Sequence, residues 1–171
     1  EIRPRDWSSD VCSSDLWQLM RSVRDENIME HSQQVAMFAH ALAVINNKVF
    51  GGTASADRAA LYAMYHECSE VMTGDLPTPI KYYNNSITGA FKQIEELATD
   101  KLLVSVKPDT QSYEYKLMKA ADRLSAYVKC LEELRCGNAE FTSAKKSIED
   151  DLRSRNIPEV EYFFKKFIPA F

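Results

Sequence analysis

The chain has 171 residues, of which 45% are hydrophobic and 27% charged, with a formal charge of −4, five glycines and six prolines. That length suits one domain with a sizeable core, and the composition excludes a chain disordered throughout. The acidic balance argues against the Lys/Arg-rich face that duplex nucleic acid requires, while leaving room for a small anion in a local basic pocket.

No apolar run approaches the roughly 18 residues that span a bilayer, and no basic segment followed by an apolar stretch opens the chain, so neither a membrane nor export is expected. The cysteines Cys12, Cys68, Cys130 and Cys136 have no paired metal-ligand spacing. Reduced thiols in a cytoplasm are the simplest reading.

Residues 1–16 lack an amphipathic period and carry Ser-Ser-Asp twice, at Ser8 to Asp10 and Ser13 to Asp15. They resemble translated adapter sequence, so the fold is expected to begin at Trp17 and the native start to be missing.

From Ser32 onward Val35, Phe38, Ala39, Leu42 and Ile45 recur at three- and four-residue steps, which predicts a helix capped by Ser32 or a neighbour. Ser55 as N-cap, the apolar positions Ala59 to Tyr65 and a stop at Gly74 predict a second helix. Pro77 and Pro79 then hold an extended turn, because proline fixes φ and biases the residue before it away from helix. Further helical patterns cover about 86–105, 111–135, 138–154 and 158–167, with no alternating strand pattern to compete. The expected fold is a single all-α helical bundle over residues 17–171.

Within that pattern, two of the three histidines sit beside acids, as Glu30-His31 and His66-Glu67. On a helix His66 and Glu70 are one turn apart and Glu67 lies about 100° around, so the three border one space. Imidazole suits zinc, iron or nickel, and carboxylate extends the choice to manganese. Further ligands would come from Glu30-His31-Ser32 and from Asp122 in Lys119-Ala120-Ala121-Asp122.

Each residue also has a plainer role. His31 is a helix cap or surface residue, His66 and Glu67 a partly buried polar pair, Glu70 a solvated glutamate, and Asp122 an i,i+3 partner of Lys119. His40, with no acid beside it, reads as structural.

The ordered set Glu30-His31-Ser32, His66-Glu67, Glu70, Gly74-Asp75-Leu76-Pro77-Thr78-Pro79-Ile80-Lys81-Tyr82 and Lys119 to Asp122 resembles the HD-domain phosphohydrolases, in particular the bacterial 5′-deoxynucleotidases. The resemblance runs from about Trp17 to the C-terminus, is most specific over Met64 to Tyr82, and includes Leu131-Glu132-Glu133-Leu134.

It implies that His31, His66, Glu67 and Asp122 bind one divalent ion such as cobalt, manganese or zinc, with Glu70 as the catalytic carboxylate. A bound cation lowers the pKa of water, and a nearby carboxylate takes its proton. Lys81 or Lys119 would assist as a point charge on phosphate, though a solvated surface role suits either. Trp17 and Asp75 match positions near the nucleoside; a buried aromatic anchor and a Gly-Asp turn are their plain alternatives.

Two departures stand out. Glu67 occupies the family's aspartate position, and the extra methylene lengthens the arm by about 1.5 Å. Leu16 stands where the family has arginine before the tryptophan, leaving Arg21 and Arg24 nearby.

The implied activity is metal-dependent removal of the 5′-phosphate from deoxynucleoside monophosphates, by a cytoplasmic protein for which a homodimer is open. A deoxynucleoside triphosphate triphosphohydrolase and a non-catalytic nucleotide-binding protein are the alternatives. His66-Glu67-x-x-Glu70 lacks the second histidine of the His-Glu-x-x-His zinc peptidases.

Overall fold

The computed structural model describes residue 17 and residues 20–70, 84–102 and 107–171. Among these, regular structure is helical: α1 (Ile28–Val49), α2 (Ala56–Met64), α3 (Asn85–Leu102), α4 (Tyr113–Arg135), α5 (Thr142–Ser154) and α6 (Pro158–Lys166), with short 3₁₀ turns at Ala139–Phe141 and Ile168–Ala170. No helix among the described residues is long and apolar enough to cross a membrane.

α1 and α4 form the central pair, with α2 packed on both and α6 on α1. The periodic positions predicted for α1 are the ones it buries, and Val35, Ala39 and Leu42 meet Leu117, Leu124 and Val128 in a core from which water is excluded. Phe38 and Phe163 meet edge to face at 5.3 Å where α6 closes the bundle.

The helix ends explain where the functional side chains lie. α1 starts four residues before Ser32, because the Asn27 side chain accepts the backbone N–H groups of Met29 and Glu30, both at 3.0 Å. Ser32 is buried in the second turn and is not the cap, which corrects the sequence expectation. His31 therefore lies in the first turn of α1. At the other end the Gly52 N–H returns to the Asn46 carbonyl at 3.0 Å, through Gly51 at φ +69, a conformation that favours glycine.

α2 is shorter than expected and ends at Met64, so His66 and Glu67 lie in the turn that follows and not in a helix. The Ala63 carbonyl accepts the His66 ring Nδ1–H at 2.7 Å and the His66 backbone N–H at 3.4 Å, and the chain winds on through three-residue bonds from Cys68 to Tyr65 and Glu70 to Glu67. A side chain has taken a carbonyl that a continuing helix would have used. Gly74, Asp75, Pro77, Pro79 and Lys81 lie outside the described residues.

Two buried polar clusters tie the periphery down. Glu159, wholly buried in α6, accepts the Asn46 amide at 2.6 Å and the Tyr113 hydroxyl at 3.0 Å, joining α6 to α1 and α4. On the opposite flank Lys129 and Glu133 form a buried pair at 2.7 Å. Glu133 also accepts the backbone N–H of Val23 at 2.8 Å and the Asn138 amide at 2.8 Å, while Lys129 donates to the Arg24 carbonyl and Asn138 to the Arg21 carbonyl. The non-helical segment before α1 is thereby clamped to α4 through its backbone.

Candidate metal centre

Three elements converge on one point. His31 comes from the first turn of α1, His66 and Glu67 from the turn after α2, and Asp122 from the middle of α4. His31 Nε2 lies 3.2 Å from Asp122 Oδ1, and His66 Nε2 lies 3.1 Å from Glu67 Oε1 and 3.7 Å from Asp122 Oδ1. The four side chains offer ligand atoms that all lie within 4.8 Å of one another. Atoms bound tetrahedrally to a common ion at about 2.0–2.2 Å are about 3.3–3.6 Å apart, so the four lie near that spacing and the longest pair would close by about an ångström around a cation.

The hydrogen-bond partners orient both imidazoles, with one ring nitrogen turned outward and the other toward the cluster. His66 gives its Nδ1–H to the Ala63 carbonyl, which leaves Nε2 as the ring atom turned toward Glu67 and Asp122. Ser125 Oγ donates to Gln34 Oε1 at 2.6 Å and so turns a lone pair toward His31 Nδ1 at 3.3 Å. His31 Nε2 is left facing Asp122. An N–H held by an outer acceptor with the opposite nitrogen turned inward is the usual second-sphere arrangement of ligating histidines.

The carboxylates favour protons on the two rings, which a bound cation would displace. Burial alone pushes the imidazoles down, yet hydrogen bonding to Asp122 and to Glu26 or Glu67 outweighs it, raising His31 to about 9 and His66 to about 10. Burial would raise the two carboxyls, but the adjacent imidazoles hold Glu67 at about 2 and Asp122 well below the usual carboxylate range. The cluster thus draws positive charge, and the two carboxylates balance a divalent cation.

Beside the cluster opens a cavity of about 560 Å³, walled by His66, Glu67 and Glu70 on one side, Tyr115, Met118 and Lys119 of α4 on another, and Lys92, Glu95 and Thr99 of α3 across from them. Glu70 is buried at its edge. Lys119 faces the cavity, while Asp122 pairs with the histidines; the predicted alternative of a Lys119–Asp122 pair is therefore not what forms. The longer arm of Glu67 still delivers its carboxylate to the centre. His40 is exposed on α1.

Trp17 is half-buried against Phe141, with ring centres 5.5 Å apart, and is not among the described residues lining the cavity. Its indole N–H donates to Glu26 at 3.0 Å. Glu26 is a site neighbour that sequence reasoning missed, since a lone glutamate in Arg24-Asp25-Glu26-Asn27 carries no periodic or motif signal.

The whole of residues 14–171 matches the family model described as 5′-deoxynucleotidase YfbR-like. The 5′-deoxynucleotidase YfbR of Escherichia coli strain S88 is 50% identical, with 91% of this chain and 84% of that protein covered; the protein of the Crooks strain is 51% identical over the same shares. An HD-domain phosphohydrolase from Listeria innocua superposes with a TM-score of 0.77 at 20% identity, covering 96% of this chain and 85% of that one. A conserved hypothetical protein from Pyrococcus furiosus gives 0.71 at 20% identity, covering 91% and 96%; these two likenesses concern the fold. From the identity and the extent of the match, the chain belongs to the YfbR-like 5′-deoxynucleotidase family.

Proposed function

We propose that this protein is a divalent-metal-dependent 5′-deoxynucleotidase, hydrolysing deoxynucleoside 5′-monophosphates to the deoxynucleoside and inorganic phosphate. The observation that carries the reading is the convergence of His31, His66, Glu67 and Asp122 on one point, with Glu70 at the edge of the adjoining cavity, in a chain of this family.

His31, His66, Glu67 and Asp122 hold one ion, with zinc, manganese or cobalt all compatible with two imidazoles and two carboxylates. When bound, that ion supplies Lewis acidity toward phosphoryl oxygen and acidifies water at neutral pH. Glu70 orients the attacking water and accepts its proton as the oxygen adds to phosphorus and the bond from phosphorus to the 5′ oxygen breaks, the departing oxygen taking up a proton from solvent to give the hydroxyl of the deoxynucleoside. Lys119 places an ammonium on the cavity wall where phosphoryl charge accumulates.

Trp17 and Asp75 act on the nucleoside side and Lys81 on the phosphate side, the last two from the segment outside the described residues. The catalytic unit is residues 17–171. A reducing cytoplasmic setting suits the free thiols of Cys68, Cys130 and Cys136.

Product analysis tests the reading. Deoxynucleoside monophosphates should yield inorganic phosphate; release of triphosphate from deoxynucleoside triphosphates, with monophosphates untouched, would favour the triphosphohydrolase. Tight nucleotide binding without turnover under any divalent ion would favour a binding protein.

A further inference from the structure

Trp17 and the cluster are joined through one side chain. The Glu26 carboxylate is 12% exposed, and its two oxygens face in different directions: Oε2 accepts the Trp17 indole N–H at 3.0 Å, and Oε1 lies 3.5 Å from His31 Nδ1. Both partners are donors, since an indole nitrogen has no lone pair to offer and His31 Nε2 is the atom turned to Asp122; the His31 Nδ1–H is shared between Glu26 Oε1 and the Ser125 Oγ lone pair at 3.3 Å. A carboxylate accepts at both ends. An amide of the same length would set an N–H against one of the two donors.

The placement of Trp17 is imposed by its surroundings. Its φ is +67, a region that bulky side chains rarely enter, and it is held by the Met20 N–H on its carbonyl at 2.8 Å, by Phe141 against the ring and by Glu26 on the indole. The backbone between Trp17 and Glu26 is clamped at Arg21, Val23 and Arg24 by Asn138, Glu133 and Lys129. The fold fixes Trp17 on one oxygen of Glu26 and sets the other beside the outer nitrogen of His31.

We infer that Glu26 is a positioning residue that couples the Trp17 indole to His31, so that metal affinity and the setting of Trp17 depend on each other through this carboxylate. The inference rests on His31 being a metal ligand. Coupling of this kind is reciprocal, so an ion at His31 alters the surroundings of Trp17 to the extent that Trp17 alters affinity for the ion.

Zinc is a suitable probe because it is redox-inert. The full chain carrying Trp7→Phe, which leaves Trp17 as its one tryptophan, is stripped of metal and titrated with zinc against a chelating indicator while tryptophan emission is recorded. Glu26→Gln should weaken zinc binding about tenfold or more, the range for outer-sphere partners of ligating histidines. Trp17→Phe should weaken it less, and the double variant should bind no worse than Glu26→Gln alone, because the effect of Trp17 passes through Glu26. Zinc should change Trp17 emission in the parent and leave it unchanged in Glu26→Gln.

Unchanged zinc affinity in a Glu26→Gln protein with parental circular dichroism would overturn the inference, as would additive losses in the double variant. Should Glu26→Gln not fold, Trp17→Phe decides: weaker zinc binding supports the coupling, and parental binding refutes it. A parent that binds no divalent ion refutes the metal reading itself and this inference with it, whereas a parent that binds zinc beside an equally tight Glu26→Gln refutes the inference alone.

Discussion

His66 gives its Nδ1–H to the Ala63 carbonyl at 2.7 Å, at the point where α2 ends, and this leaves Nε2 turned toward Glu67 and Asp122. The end of a helix and the assembly of the centre coincide here. The second ligand candidate in that turn, Glu67, needs no further element to bring it in. Asp122 and His31 come from the two helices that form the core, so the centre is held by the best-packed part of the molecule.

Glu70 sits at the cavity edge and outside the set of four convergent ligand atoms. Glu70→Gln should leave metal and nucleotide binding in place while hydrolysis falls by roughly a hundredfold or more, the scale of a general acid–base group. Isothermal titration with metal and phosphate release under saturating nucleotide separate the two effects. Near-normal turnover would remove Glu70 from the chemistry.

Glu67 brings a carboxylate oxygen to 3.1 Å from His66 Nε2 in spite of its extra methylene. Glu67→Asp should keep the metal and raise activity or leave it unchanged, and Glu67→Ala should lose both, because it removes a charge and a ligand atom together. If Glu67→Ala binds metal and hydrolyses nucleotide as well as the parent, Glu67 is a bystander and the ion is held by three residues.

Burial would raise the Glu133 carboxyl, but Lys129, the Val23 N–H and the Asn138 amide hold it at about 2, against 4.5 for a free glutamate. A carboxyl whose folded-state pKa is depressed stabilises the fold fully above about pH 4.5 and loses that contribution as pH falls toward about 2. Glu133→Gln should therefore cost on the order of 3 kcal/mol at pH 7 and little near pH 2. Urea unfolding at pH 7, 4 and 3 checks this: the gap between parent and variant should narrow as pH falls, and a gap independent of pH would refute the account of the clamp.

The helical bundle was legible because burial in α1 and α4 follows the 3.6-residue period, as Val35 to Ile45 illustrate, and because Ser55 caps the helix it precedes. The four ligand candidates were named by residue type and order, and the fold brings them together. The local conformation at His66 was not legible, since Met64 to Glu70 keeps helical composition while the Ala63 carbonyl is taken by the His66 ring and by nearby backbone N–H groups. Asn27 outcompeted Ser32 as the cap because its side chain reaches two backbone N–H groups at once. Glu26 and the Lys129–Glu133 clamp stayed hidden for a related reason: their partners lie 9 and more than 100 residues away along the chain, or on backbone groups whose identity no side-chain pattern encodes.

The most direct test of the central claim is to strip the protein of metal and add one divalent ion back in measured steps while following phosphate release from a deoxynucleoside 5′-monophosphate. Activity should be absent from the stripped protein, rise with added ion and saturate at one ion per chain, with His66→Ala remaining inactive throughout. Undiminished phosphate release in the presence of excess chelator, or no release with any divalent ion, would contradict it.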